Sequence, residues 1–266
     1  MFVDSHCHLS FPELYDRIAD IRVDMAAAAV DRALVICTTL EEFEQVHGLA
    51  LAHDNFWCTV GVHPDNEGVA EPSAQLLQAL ADRPKVVAIG ETGLDYFRLG
   101  ERTRLDMRWQ RDRFSRHIEA ALGCGRPLVI HTRSASEDTL ALLREQGGDK
   151  AGGVFHCFTE TAEVARAALD LGFMISFSGI LTFRNASDLR EIARFVPLDR
   201  CLIETDSPYL APVPYRGRVN SPAYVPHVAH ELARIKGLGI EAVAQVTSAN
   251  FERLFNLQMH PFGEGK

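Results

Sequence analysis

His6-Cys7-His8 sets two imidazoles one residue apart at the end of a short apolar run. Side chains of an extended segment alternate between faces, so both rings point to one side and can chelate one ion. Alone, such a pair is weak evidence in a chain with 11 histidines. Its weight comes from similar placements elsewhere. His131 follows Leu128-Val129-Ile130, His156 follows Gly153-Val154-Phe155, Glu91 follows Ala88-Ile89-Gly90, and Asp206 stands just beyond Cys201-Leu202-Ile203. If these groups only capped strands, four histidines and two carboxylates would converge without a counter-charge. Mixed imidazole and carboxylate ligation is instead what a divalent-metal hydrolase needs. Glu91 has two oxygens and can bridge two cations roughly 3.5–4 Å apart, with His6, His8 and Asp206 completing one ion and His131 and His156 the other. Asp206 is also placed to orient or deprotonate a water, which makes Asp206 and Glu91 the catalytic candidates.

Such a set needs a scaffold that gathers the ends of many strands. Eight short runs rich in Val, Ile, Phe and Leu recur, at 1–4, 33–37, 56–62, 86–89, 127–130, 153–155, 173–177 and 201–203. Between them, segments such as 12–30, 41–54, 103–122 and 161–171 carry Ala, Leu, Glu and Arg with one apolar stripe, as crossover helices do. Ser136 ahead of Glu137 and Asp138 reads as a helix start, and Gly147-Gly148 and Gly172 as helix ends. An open doubly wound sheet competes with a closed (β/α)8 TIM barrel, but polar groups at the ends of nearly all the strands converge only in a ring. No low-complexity linker divides the chain, so the expectation is one α/β domain over 1–266.

A hydrophobic content of 47% with 24% charged residues suits a globular protein with a sizeable core. Six cysteines stand singly, mostly in apolar segments, and read as buried reduced thiols. The start of the chain lacks a basic, long apolar secretion signal, and the apolar run at 26–30 is too short to span a bilayer. The expectation is a cytoplasmic protein without membrane attachment, and no obligate protein partner is legible. A net charge of -9 disfavours a protein that coats duplex nucleic acid, yet leaves room for a local phosphate site.

Asp4-Ser5-His6-Cys7-His8-Leu9, Gly61-Val62-His63-Pro64, Ile89-Gly90-Glu91-Thr92-Gly93-Leu94-Asp95, His131-Thr132-Arg133, Phe155-His156-Cys157-Phe158 and Glu204-Thr205-Asp206-Ser207-Pro208-Tyr209 occur in that order. In these motifs the sequence resembles the TatD family of metal-dependent deoxyribonucleases, within the amidohydrolase-like barrels. The resemblance covers essentially the whole chain. It implies the barrel, the six metal ligands, and 3'-to-5' exonuclease activity on single-stranded DNA or RNA. The loop from Tyr215 to Pro222, with Arg216 and Asn220, is similar to a substrate-binding family segment; a basic residue common there is Val219 in this chain.

Arg133, two residues beyond His131, can grip a substrate phosphate through its guanidinium or form an ion pair with a neighbouring carboxylate such as Glu204. His63 follows the third apolar run and faces the same rim; the resemblance implies that this position lines the substrate side, to contact phosphate or a further cation. Glu204, two residues before Asp206, should project into the mouth as an extra ligand, a supporting group or a proton acceptor. Tyr96, with Phe97, follows the Glu91 loop and can stack bases. The arginine-rich stretch of Arg98, Arg102, Arg104, Arg108, Arg111, Arg113 and Arg116 alternates with Glu101, Asp106 and Asp112, as a solvated helix face does.

The resulting expectation is phosphodiester hydrolysis by a metal-bound hydroxide at a two-cation centre. Ligand softness favours Zn or Mn, and the resemblance points to Mg. One rival is an amidohydrolase-like hydrolase of a small ester, lactone or cyclic amide; relatives of that kind use a modified lysine on the fourth strand, where this chain has Glu91. The other is a metal-stabilised scaffold without catalysis, against which a ligand set open to water at a barrel mouth argues.

Overall fold

The computed structural model describes residues 1–257; the end of the expected domain, 258–266, lies outside them. All eight apolar runs are strands: β1 (Phe2–Cys7), β2 (Val30–Val35), β3 (Phe56–Val60), β4 (Val86–Asp95), β5 (Leu128–Arg133), β6 (Gly153–Phe155), β7 (Met174–Phe177) and β8 (Cys201–Ile203). They pair in parallel, in chain order. Parallel neighbours require crossovers. These are α1 (Pro12–Tyr15) with α2 (Ile18–Ala27), then α3 (Phe43–Ala52), α4 (Ala74–Ala81), α5 (Arg108–Cys124), α6 (Ser136–Gln146), α7 (Ala162–Asp170) and α8 (Ser187–Phe195). After β8 come α9 (Val225–Lys236) and α10 (Ile240–Leu254).

The ring closes where β8 meets β1. Cys7 and Ser207 form a parallel bridge, the Asp206 N–H donates to the His6 carbonyl at 2.9 Å, and the His8 N–H donates to the Ser207 carbonyl at 2.8 Å. Asp4 clasps the same seam, accepting from the Thr205 N–H at 2.9 Å and from its hydroxyl at 2.5 Å. Burial pushes the Asp4 carboxyl up to about 8, against the lowering effect of these hydrogen bonds. The architecture is a (β/α)8 TIM barrel.

Alternation along the strands builds two cores. Val3, Leu34, Ile36, Val87, Val129, Val154, Met174 and Leu202 fill the barrel, with Phe251 and Phe255 packed against them from the α10 end of the chain. Val35, Cys58, Ile130, Phe155, Ile175 and Ile203 face outward into the layer shared with the helices. The six cysteines are free thiols.

Three local readings are corrected. The single helix expected over 12–30 is two, and Ala29, at φ +56°, turns the chain into β2 at Val30, earlier than its apolar run suggested. Ser136 begins α6 without acting as its cap. β4 and β5 run on through Glu91 to Asp95 and through His131 to Arg133, so these ligand candidates lie within strands.

Candidate metal centre

Two bulges aim the ligands. In β1, Asp4 opposes Ala33 and Cys7 opposes Val35, three steps against two. In β4, Ile89 opposes Leu128 and Thr92 opposes Ile130, again three against two. The extra residue redirects the backbone at Ser5-His6 and at Gly90-Glu91. Glycine is required beside Glu91: Gly90 has φ +154°, and a Cβ there would stand 2.7 Å from the Val129 carbonyl oxygen.

Glu91 is buried at the centre of the mouth, and its two oxygens face different histidines. Oε2 lies 3.4 Å from His6 Nε2 and 3.9 Å from His8 Nε2. Oε1 lies 2.8 Å from His156 Nε2, 3.2 Å from His131 Nδ1 and 3.3 Å from His63 Nε2. Asp206 Oδ1 approaches His8 Nε2 at 3.2 Å and His6 Nε2 at 3.7 Å. All six ligand candidates thus converge, with His63 beside them. Among the described residues, three groups have donor atoms within 4.8 Å of one another: His6, His8 and Glu91; His6, His156 and Asp206; His63, Glu91 and His131. His156, expected with His131, also closes a group with His6 and Asp206.

The residues fit divalent cations. Glu91 Oε2 and the Nδ1 atoms of His6 and His8 are buried without a hydrogen-bond partner, and the Nε2 atoms of His6 and His8 crowd to 3.3 Å. Imidazole Nε2 atoms crowded together beside a buried carboxylate oxygen that lacks a hydrogen-bond partner are a donor set for a metal. Burial works to lift the Glu91 carboxyl, but the charges of His156, His63 and His6 and a hydrogen bond from His131 outweigh it and hold it well below the usual range. Asp206 is likewise held low against burial, chiefly by its hydrogen bond with His8. Both carboxylates are therefore anionic at neutral pH.

Carboxylates orient two of the histidines from behind. His131 Nε2 meets Asp95 Oδ2 at 2.9 Å, leaving Nδ1 toward Glu91. His156 Nδ1 meets Glu204 Oε1 at 3.3 Å, and that oxygen also accepts the Cys157 N–H at 2.7 Å. Such contacts fix tautomer and ring orientation. Glu204 is wholly buried behind His156, which corrects the expectation that it projects into the mouth. Asp95 escaped the sequence reading; its signal is its parity with Glu91 once β4 continues that far.

His63 is hydrogen-bonded differently. Its Nδ1 accepts the Asp65 N–H at 3.0 Å, so in the neutral ring the proton sits on Nε2, facing Glu91. That tautomer donates a hydrogen bond rather than a lone pair. Two residues that the sequence reading missed hold its loop: buried Arg113 donates to the carbonyls of His63 and Asn66, both at 2.8 Å, and His117 Nε2 accepts the Val62 N–H at 3.0 Å.

On the rim, exposed Arg133 lays its guanidinium 3.6 Å over the Phe97 ring, and exposed Arg216 lies 3.6 Å over Phe183. Neither forms an ion pair among the described residues, Arg133 with Glu204 included, although the charge of Arg133 helps to hold the Asp95 carboxyl low. The arginine-rich stretch differs. Arg98 pairs with Asp65, Arg102 with Glu67, Arg104 with Glu137, Arg108 with Asp112, Arg111 with Asp138, and Arg113 and Arg116 with Glu71. Tyr96 is buried and donates to Asp138 at 2.8 Å, so it offers no ring face; its neighbour Phe97 is 58% exposed. Asn220 is also buried, its amide donating to the carbonyls of Thr205 at 2.8 Å and Tyr209 at 2.6 Å, which places it in support of the Asp206 loop rather than against substrate.

The family model described as TatD related DNase matches residues 3–256. The chain is 48% identical over 259 residues to the uncharacterized metal-dependent hydrolase YcfH of Escherichia coli (strain K12), covering 96% of both chains. It is 34% identical over 244 residues to the 3'-5' ssDNA/RNA exonuclease TatD of Salmonella typhimurium, covering 90% of this chain and 92% of that one. The crystal structure of YjjV, a TatD homologue from Escherichia coli K12, matches with a TM-score of 0.89 at 28% identity, over 97% of this chain and 98% of that one.

Proposed function

The chain belongs to the family of TatD-related deoxyribonucleases, a family of metal-dependent hydrolases, and we propose that it is a 3'-to-5' exonuclease of single-stranded DNA or RNA. The observation that carries the reading is Glu91, buried and anionic, with one oxygen toward His6 and His8 and the other toward His131 and His156. In this reading His6, His8, Glu91, His131, His156 and Asp206 would together hold a pair of divalent cations, Mg, Mn or Zn, with Glu91 able to serve both through its two oxygens. Bound there, they would supply positive charge to phosphoryl oxygens and make a coordinated water acidic near neutral pH.

The chain's own groups do the rest. Asp206 accepts the proton of the attacking water and fixes its approach. The Nε2–H of His63 donates a hydrogen bond to a phosphoryl oxygen as substrate displaces its contact with Glu91. Arg133, held flat by Phe97 and in no ion pair among the described residues, grips a phosphate that is not being cleaved, and Arg216 on Phe183 offers a second guanidinium. Arginines already neutralised by carboxylates, as along α5, cannot serve this way at comparable strength.

Turnover of an end-labelled single-stranded oligonucleotide, beside a panel of small esters, lactones and cyclic amides, tests the proposal. Stepwise release of mononucleotides from the 3' end supports it. Hydrolysis confined to the small substrates, or no turnover by metal-replete protein, overturns it in favour of the amidohydrolase-like or scaffold reading.

A further inference from the structure

Two aromatic rings stand against the half of the centre built from His6, His8 and Asp206. Phe11 lies three residues beyond His8 and its N–H donates to the His8 carbonyl at 3.1 Å; Tyr209 lies three residues beyond Asp206 and its N–H donates to the Asp206 carbonyl at 3.0 Å. Each ring is thus tied to a ligand candidate by a closed backbone turn. Asn220 fastens the second turn through the Tyr209 carbonyl. Phe11 stacks on His8, centroids 4.7 Å apart and planes 18° apart, and Tyr209 meets Phe11 edge-on at 6.3 Å. Tyr209 is 54% exposed. A ring left half in water forgoes burial that a stacked ligand would restore.

Across the mouth, the Arg133–Phe97 stack stands over β5 and β4, which lie opposite β1 and β8 in the strand order. We infer that Phe11 and Tyr209 form a stacking subsite for the nucleobase of the terminal nucleotide of a single strand. The inference rests on the phosphodiesterase reading of the centre. Arg133 takes a phosphate that is not cleaved, so the continuing strand leaves over β4 and β5. The nucleotide being removed then lies on the β8 and β1 side, against the aromatic ledge. Stacking accepts every base, as removal of successive nucleotides demands.

Kinetics of wild type, Tyr209→Ala and Tyr209→Phe are compared on an oligonucleotide with an intact terminal nucleotide and on the same strand with an abasic terminal residue. Loss of one stacked base corresponds to roughly a tenfold to hundredfold change in affinity. On the intact strand, Tyr209→Ala should raise KM by that factor, far more than it lowers kcat, and Tyr209→Phe should restore it. On the abasic strand, wild type should already show the raised KM and Tyr209→Ala should add nothing. Equal effects of Tyr209→Ala on both strands, or none on either, would overturn the subsite while leaving the nuclease intact. Wild type inert toward both strands would instead overturn the phosphodiesterase reading, and this inference with it.

Discussion

His117 and His6 are both fully buried imidazoles, and they differ in what the protein gives them. Under α5, His117 has both nitrogens engaged, Nδ1 with the Arg113 carbonyl at 2.8 Å and Nε2 with the Val62 N–H at 3.0 Å. At the barrel mouth, His6 has no partner for Nδ1, and its Nε2 is crowded among other donor atoms. The first histidine is complete in the protein alone; the second is not. His131 and His156 stand between, each with one nitrogen oriented by a carboxylate and the other directed at Glu91. Burial alone therefore does not mark a candidate metal ligand; what sets these histidines apart from His117 is that each directs a nitrogen at a shared carboxylate.

Asp206→Asn strikes the incomplete region hardest. The substitution keeps the shape and an oxygen but removes the charge and most of the basicity, so turnover should fall by roughly 10²- to 10⁴-fold while single-stranded DNA still binds. A variant keeping a tenth of the wild-type rate at saturating metal would show that Asp206 is not the proton acceptor.

The complete region is tested by acid. Burial pushes His117 down to about 4 from an ordinary 6.5, so the unfolded chain takes up its proton first, and stability is lost as pH falls through that window. The full effect is on the order of 3 kcal/mol, about a hundredfold in the folding equilibrium. His117→Gln should flatten the slope of urea midpoint against pH between 6.5 and 4 without altering cation content; an unchanged slope would remove His117 from the acid response.

For the intermediate histidines, Asp95→Asn should weaken cation binding by roughly 10- to 100-fold, because His131 loses the carboxylate that orients it. Calorimetric titration of metal-free protein reads this without any assay of turnover, and wild-type affinity in the variant would make Asp95 incidental. The smallest effect is expected on the rim. Arg133→Ala should raise the oligonucleotide KM by roughly tenfold with a lesser fall in kcat, whereas Arg108→Ala, already paired with Asp112, should leave both unchanged. Equal responses of the two variants would erase the distinction between free and neutralised guanidiniums.

The strands were legible because barrel strands are buried on both faces and read as short apolar runs. The six ligand candidates were legible because each stands at or just beyond the end of such a run. What stayed hidden depends on contacts remote in sequence or on a shift of one residue. Arg113 belongs to the His63 loop only through Glu71 and two carbonyls far along the chain. Tyr96 and Phe97 are adjacent, and local register alone decides which ring faces water. The bulges at Ser5-His6 and Gly90-Glu91 change the parity that simple alternation assumes. The break between α1 and α2 has no marker in the local sequence.

The bridged pair of cations is tested most directly by counting them. Protein equilibrated with saturating Mn or Zn and freed of excess metal should hold about two ions per chain by elemental analysis, and Glu91→Ala should hold fewer, since in the proposed reading Glu91 would serve both ions. A wild-type protein that binds at most one ion, or a Glu91→Ala variant that binds as many as wild type, would contradict the bridge.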